Sequence, residues 1–117
     1  MTLAGHSIEF SDCAEVGQGG PEACTMSVDG ELVRVRYLWW LRSPRRFHPS
    51  PLEWRGDILV PLREAGHFYL ARVNPRTLRV AKLGRGYSYM RLLKVDENGV
   101  EFSTWFDDRE TGFQALD

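Results

Sequence analysis

Lysine is almost missing from this chain of 117 residues: Lys82 and Lys94 stand against 13 arginines, a bias that points to a GC-rich, bacterial coding sequence. Long hydrophobic runs are also missing. The longest aromatic-aliphatic stretch, Tyr37 to Leu41, is far short of the roughly 18 to 20 residues a membrane helix needs, so no membrane-spanning segment is expected. The opening residues Met1 to His6 lack the basic and apolar regions of a secretory leader, and Glu9 and Asp12 follow at once. The expectation is a cytoplasmic protein. Cysteine is limited to Cys13 and Cys24. Their ten-residue spacing fits no common zinc or redox motif, so both are expected to be thiols, Cys24 in the core. His6, His48 and His67 stand far apart, with no partner at metal-ligand spacing. No stretch carries a capped helical stripe.

What is present is ordinary globular composition, 43% hydrophobic and 26% charged, in a length that suits one domain. The strongest local pattern is Leu92 to Phe102, two apolar runs around Asp96-Glu97-Asn98-Gly99. A four-residue loop there sets Val95 opposite Val100, Lys94 opposite Glu101, Leu93 opposite Phe102 and Tyr89 opposite Phe106, which pairs like with like. Val28-Asp29-Gly30-Glu31 predicts a second hairpin, with Asp-Gly supplying the positive φ angles of a type I′ turn. In that register Met26 faces Val33 and Cys24 faces Val35. On the strand from Ser7 to Cys13, plain alternation puts Cys13 on the face away from Ile8 and Phe10.

Further strands are expected at Asp57 to Leu62, His67 to Val73 and Leu78 to Leu83, with Asn74-Pro75 opening a type I turn. Pro61 cannot donate to a ladder, which predicts an edge strand or a bulge. Residues 84 to 88 read as a loop, and the tail after Asp107 as loosely held or one short turn. The fold class is mainly β: an antiparallel meander of about seven to eight strands forming a small sandwich, open barrel or single sheet, with little or no helix. The least regular stretch is Arg42 to Arg55, broken by Pro44, Pro49 and Pro51.

Charge is sorted along the chain. Residues 1 to 33 carry −6 with no Lys or Arg, residues 34 to 94 carry +11, and residues 95 to 117 carry −6, which reproduces the net −1. Such sorting means either pairing inside the fold or separate surface patches.

Two constellations could serve binding. Tyr37 to His48 interleaves rings with arginines, as grooves for single-stranded nucleic acid do. The acidic run Asp96, Glu97, Glu101, Asp107, Asp108 and Glu110 could imitate a phosphate backbone to a basic partner. Each also has a plain structural reading, as core tryptophans with a solvated arginine rim and as an acidic solvated tail. The glycine-rich pieces Gly17 to Gly20 and Gly84 to Gly86 are not phosphate loops. A tyrosine or arginine in Arg85 to Tyr89 could line a ligand pocket. No catalytic residue, metal or cofactor is indicated, because no Ser or Cys stands in a motif with a base and an orienting acid.

In size, absence of a leader, lack of a catalytic signature and segregated charge, the chain resembles the stand-alone immunity proteins encoded beside bacterial toxins. The resemblance rests on no diagnostic residue. It implies a non-enzymatic protein that neutralises a cognate toxin by direct binding. The candidate partner-binding residues are Trp39, Trp40, Arg42, Arg45, Arg46, Phe47, Trp54, Asp107, Asp108 and Glu110. The alternative is an RNA or single-stranded nucleic-acid binder using the basic-aromatic loop, and the third reading is a small enzyme or ligand carrier.

Overall fold

The computed structural model describes residues 2–15, 22–33, 38–40, 51–105 and 109–117. Every regular element among them is a strand. In chain order these are β1 (Thr2–Leu3), β2 (His6–Glu15), β3 (Glu22–Val28), β4 (Glu31–Leu32), β5 (Leu38–Trp40), β6 (Leu52–Trp54), β7 (Asp57–Glu64), β8 (His67–Val73), β9 (Val80–Tyr87), β10 (Arg91–Val95), β11 (Gly99–Ser103) and β12 (Thr111–Ala115). The all-β antiparallel class expected from the sequence is the one observed. The count exceeds seven or eight because β1, β4, β5 and β6 are pieces of only two or three residues.

One antiparallel sheet runs β1-β2-β3-β5-β7-β8-β9, with β4 beside β3 and β6 beside β7, and a second runs β10-β11-β12. Two cores result. Ile58, Val60 and Leu62 of β7 pack with Ala71 and Val73 of β8 and with Ile8, Met26, Val28 and Val33. The first sheet therefore curls so that β2 and β3 share a core with β7 and β8. Leu59 of β7 points the other way and packs with Trp54, Phe68 and Leu70 against Met90, Leu92, Val100, Phe102 and Leu116 of the second sheet. The run Ile58-Leu59-Val60-Pro61-Leu62 is buried throughout. It is the pattern of a strand apolar on both faces, each full burial stabilising the fold by about 1.5 to 3 kcal/mol.

Pro61 was expected to mark an edge or a bulge, yet β7 keeps an unbroken register with β8 and lies in the sheet interior, with β5 and β6 along its other side. The pairing on that second side reaches Leu62 through Leu38 and resumes at Leu59 with Leu52. Pro61 falls between these two pairings, and among the described residues no ladder bond calls on its nitrogen. The same arrangement shortens the irregular segment. Leu52–Trp54 is strand β6, and Arg55-Gly56 closes a tight hairpin with φ of 47° and 83°.

The hairpin register at β10–β11 holds for Val95 with Val100 and Lys94 with Glu101. A bulge at Leu93 then brings Leu92, not Leu93, opposite Phe102; the pairing of Phe106 lies outside the described residues. The Asp29-Gly30 turn has φ of 51° and 84°, as type I′ requires. Val28 pairs with Glu31, and the Val33 N–H donates to the Met26 carbonyl. Val35 lies outside the described residues. Asn74 caps its turn by accepting the N–H groups of Arg76 and Thr77 on Oδ1.

Three expectations are corrected. Residues 84 to 87 belong to β9, which continues through a bulge where Gly84, Arg85 and Gly86 oppose Tyr69. A β-carbon at Gly86 would stand 2.8 Å from the Tyr69 ring. The tail is strand β12, anchored by buried Leu116, whose N–H donates to the Asn98 carbonyl. Cys24 is disulfide-bonded rather than a free thiol, and Cys13 is the only other cysteine in the chain. The cause is again a bulge. The β2–β3 register shifts between Ser11 and Ala14, with Asp12 at φ 51°, so the Ala14–Ala23 register places position 13 across from position 24.

The two sheets are tied at Trp54, which is 4% exposed. Its indole N–H donates to the Asp96 carbonyl at 2.8 Å in the β10–β11 turn. The Arg55 and Arg72 guanidiniums lie 4.6 and 4.9 Å from its ring centroid, and Arg72 Nε donates to Asp57 Oδ2 at 2.6 Å. Trp54→Phe leaves the Asp96 carbonyl, part-buried under the indole, without its donor and is expected to lower unfolding free energy by about 1 kcal/mol, read as a lower urea midpoint.

At the opposite end of the first sheet, Asp29 receives His6 Nδ1 at 2.6 Å and the Ser7 N–H at 2.9 Å. The His6 bond first, and the Ser7 bond second, hold its carboxyl below the ordinary 3.8. A depressed carboxyl contributes stability that is present above its unfolded value and lost as pH falls through the folded one. Asp29 should therefore titrate below 3.8 in carboxyl-detected NMR. Asp29→Asn should remove the corresponding acid-dependent part of the stability.

Candidate protein interface on the C-terminal hairpin

The β10–β11 turn is built by Asp96, whose Oδ1 accepts the N–H groups of Asn98 at 2.8 Å and Gly99 at 3.1 Å. That turn aims Val100 and Phe102 into the second core, so Glu101 faces outward. Lys94, Glu101 and Phe113 form one row across β10, β11 and β12. Gly112 leaves room for the Phe102 ring, which a β-carbon there would meet at 2.8 Å. Phe113 stands 55% exposed on the outer side and reaches over Gly99.

The connection from β11 to β12 rises from a buried polar base. Ser103 and Thr104 are buried. The Ser103 hydroxyl donates to the Trp105 carbonyl, the Thr104 N–H donates to the Glu110 carbonyl at 2.9 Å, and the Thr104 hydroxyl donates to Glu110 Oε1 at 3.2 Å. Above this base Trp105 is 38% exposed, with the Arg109 guanidinium 5.1 Å from its ring centroid. Two large aromatics thus stand on one hairpin.

Among the sequence candidates, Glu110 lies in this hairpin, held by Thr104. Trp54 is elsewhere, its ring enclosed between the sheets. Trp39 and Trp40 sit on β5, paired with Ala23 and Glu22 of β3, and their side chains lie outside the described residues. Arg42, Arg45, Arg46, Phe47, Asp107 and Asp108 also lie outside them. Sequence reasoning missed Trp105, Arg109 and Phe113. Alternation in Thr111 to Leu116 points the wrong way for Phe113, because the inward positions are Gly112, Gln114 and Leu116. Only the ladder to β11 reveals that Phe113 shares the face of Glu101.

A basic-aromatic rim lies at the ends of β7, β8 and β9. Arg63 covers Phe68 at 5.3 Å, Lys82 covers Tyr69 at 4.5 Å, and Arg85 covers Tyr87 at 4.5 Å. Tyr87 meets Phe102 edge-on at 5.2 Å, joining this rim to the second sheet. The Lys82 ammonium donates to Glu64 at 3.0 Å, and that bond chiefly raises its pKa, which keeps it charged. These rings carry the protein's own cations on their faces. The ion pairs His6–Asp29, Arg72–Asp57 and Lys82–Glu64 each join residues of one charge segment. Among the described residues, no three His, Cys, Asp or Glu side chains could hold a metal ion, and no helix is long and apolar enough to cross a membrane.

No protein-family model, curated protein or solved structure matches the chain.

The exposed aromatics are expected to add little to folding. Phe113→Ala should change unfolding free energy by no more than about 0.5 kcal/mol, whereas Phe102→Ala, one position from Phe113's ladder partner Glu101 and inside the core, should cost about 3 to 5 kcal/mol. Urea denaturation of the two variants makes the comparison.

Proposed function

We propose that this chain is a non-enzymatic bacterial binding protein that acts by direct contact with another protein, as an immunity protein does when it neutralises a toxin. The contact surface is the β11–β12 hairpin. One observation carries the reading: Trp105 and Phe113 are exposed on a hairpin whose core is filled by other side chains. Aromatics of this kind, set beside charge, supply most of the energy at protein interfaces. The chain from residue 95 onward carries −6, which fits a partner with a basic surface.

The nucleic-acid reading has less support, because the rings of the described rim already face Arg63, Lys82 and Arg85. An enzymatic reading has less still. The described groups with a resolved pKa shift are Asp29 and Lys82, and each shift is explained first by a surface hydrogen bond to an ionisable neighbour. The cytoplasmic location expected from the sequence has one observation against it, since a disulfide at Cys24 suits an oxidising compartment. Binding is therefore best measured both before and after reduction.

The test is affinity capture from the source cell with the purified chain, followed by titration of whatever protein is retained. A stoichiometric protein partner is expected. Trp105→Ala and Phe113→Ala should each weaken it by about 30-fold, the loss of a single hot-spot side chain. Recovery of nucleic acid alone, with affinity falling steeply as salt rises, would overturn the proposal.

A further inference from the structure

Sheet edges are open donors and acceptors, and natural proteins guard them with charge, proline, bulges or brevity. Among the described strands, β1, β9, β10 and β12 end the two sheets, and the first three are guarded. β1 has two residues, and the chain leaving it donates the Ala4 N–H to Glu53. β9 carries Lys82, Arg85 and the Gly84 bulge. β10 packs beside β6 and β7 of the other sheet. The fourth edge, β12, reads Thr-Gly-Phe-Gln-Ala, with no charge, no proline and an unbroken register to β11.

The ladder also shows which groups point outward. The Leu116 N–H donates to Asn98, and the Thr104 N–H donates to Glu110, so positions 110, 112, 114 and 116 face β11. The main-chain groups of Thr111, Phe113 and Ala115 therefore face away from it. Of these, the Ala115 carbonyl receives its own neighbour's side chain, Gln114 Nε2, at 3.2 Å.

We propose that β12 is the seam of a symmetric dimer, in which the β12 strands of two copies pair antiparallel about Phe113. In this register Phe113 lies opposite Phe113 of the second copy, and Thr111 lies opposite Ala115. Every outward group of the strand meets an outward group, giving about six main-chain hydrogen bonds. The bond from Gln114 to the Ala115 carbonyl is exchanged for one of them. The same register sets Arg109 opposite Asp117 of the second copy at both ends of the seam, so the charges flanking the neutral strand are complementary. A two-fold contact of this kind is self-complementary by construction. The two three-stranded sheets become one six-stranded sheet.

The inference does not rest on the proposed function, because the seam uses main-chain groups in the plane of the sheet, while the partner contact uses side chains that stand off it. Sedimentation equilibrium from micromolar to millimolar concentration tests it, with the urea midpoint of each variant as a check on folding. The wild-type chain should sediment at twice 13.5 kDa. Ala115→Pro removes an outward N–H without touching the ladder to β11, and it should raise the dimer dissociation constant by about tenfold or more. Arg109→Asp should do the same, and adding Asp117→Arg should restore the dimer. If Ala115→Pro fails to fold, the charge swap decides. A wild-type chain that stays monomeric at millimolar concentration overturns the proposal, as does a dimer that neither Arg109→Asp nor the swap affects. Partner capture that persists in monomeric Ala115→Pro shows the two surfaces to be separate.

Discussion

The double-sided burial of β7 is the constraint on which the remaining architecture depends. A strand with Ile58, Val60 and Leu62 on one face and Leu59 on the other must be covered twice. The first cover is the curl of the large sheet, which brings β2 and β3 over β7 and β8. The second is the β10–β12 sheet, and it is held in place by apolar packing and by the indole bond of Trp54 to the turn at Asp96. Because that bond ends on a main-chain carbonyl, it fixes the height of the β10–β11 turn over the first sheet. The position of the outer row Lys94, Glu101 and Phe113 follows from it.

Bulges do much of the remaining positioning. The shift in β2 sets position 13 across from position 24. The shift at Leu93 exchanges the partner of Phe102, and the Gly84 bulge bends β9 around the Tyr69 ring. The shifts in β2 and at Leu93 each insert one residue into one strand only, so each changes which side chains share a face downstream of it, whereas the two extra residues in β9 keep the faces in step. The Gly84 bulge also leaves β9 with a broken edge beside charged side chains, whereas β12 remains straight and neutral.

Charge along the chain is segregated in the sequence and stays so in the described ion pairs, which join near neighbours within a segment. Within the basic middle, Asp57 and Glu64 are paired with Arg72 and Lys82, and Arg63 and Arg85 lie over rings. Thus the aromatic-arginine character legible in the sequence becomes, on the rim, a packing device. Trp105 and Phe113 stand exposed in the C-terminal segment, whose sequence carries −6.

Local chemistry is what the sequence by itself determined: the Asp29-Gly30 and Asp96 to Gly99 turns, the pairing of Lys94 with Glu101, the all-β class and the strands at β7 and β8. Turn types follow from a few residues whose φ preferences are intrinsic, and register follows from the turn. The tertiary structure alone decided what depends on a neighbour absent from the local window. Pro61 sits in the sheet interior at a position that the described pairings of β5 and β6 leave open. Trp54 is buried because the second sheet comes down on it, and Phe113 is exposed because its ladder partner on β11 is the outward-facing Glu101. Bulges lie between these two cases: one extra residue leaves the alternation of side chains locally intact while reversing every face beyond it, so only the paired strand shows where the reversal falls.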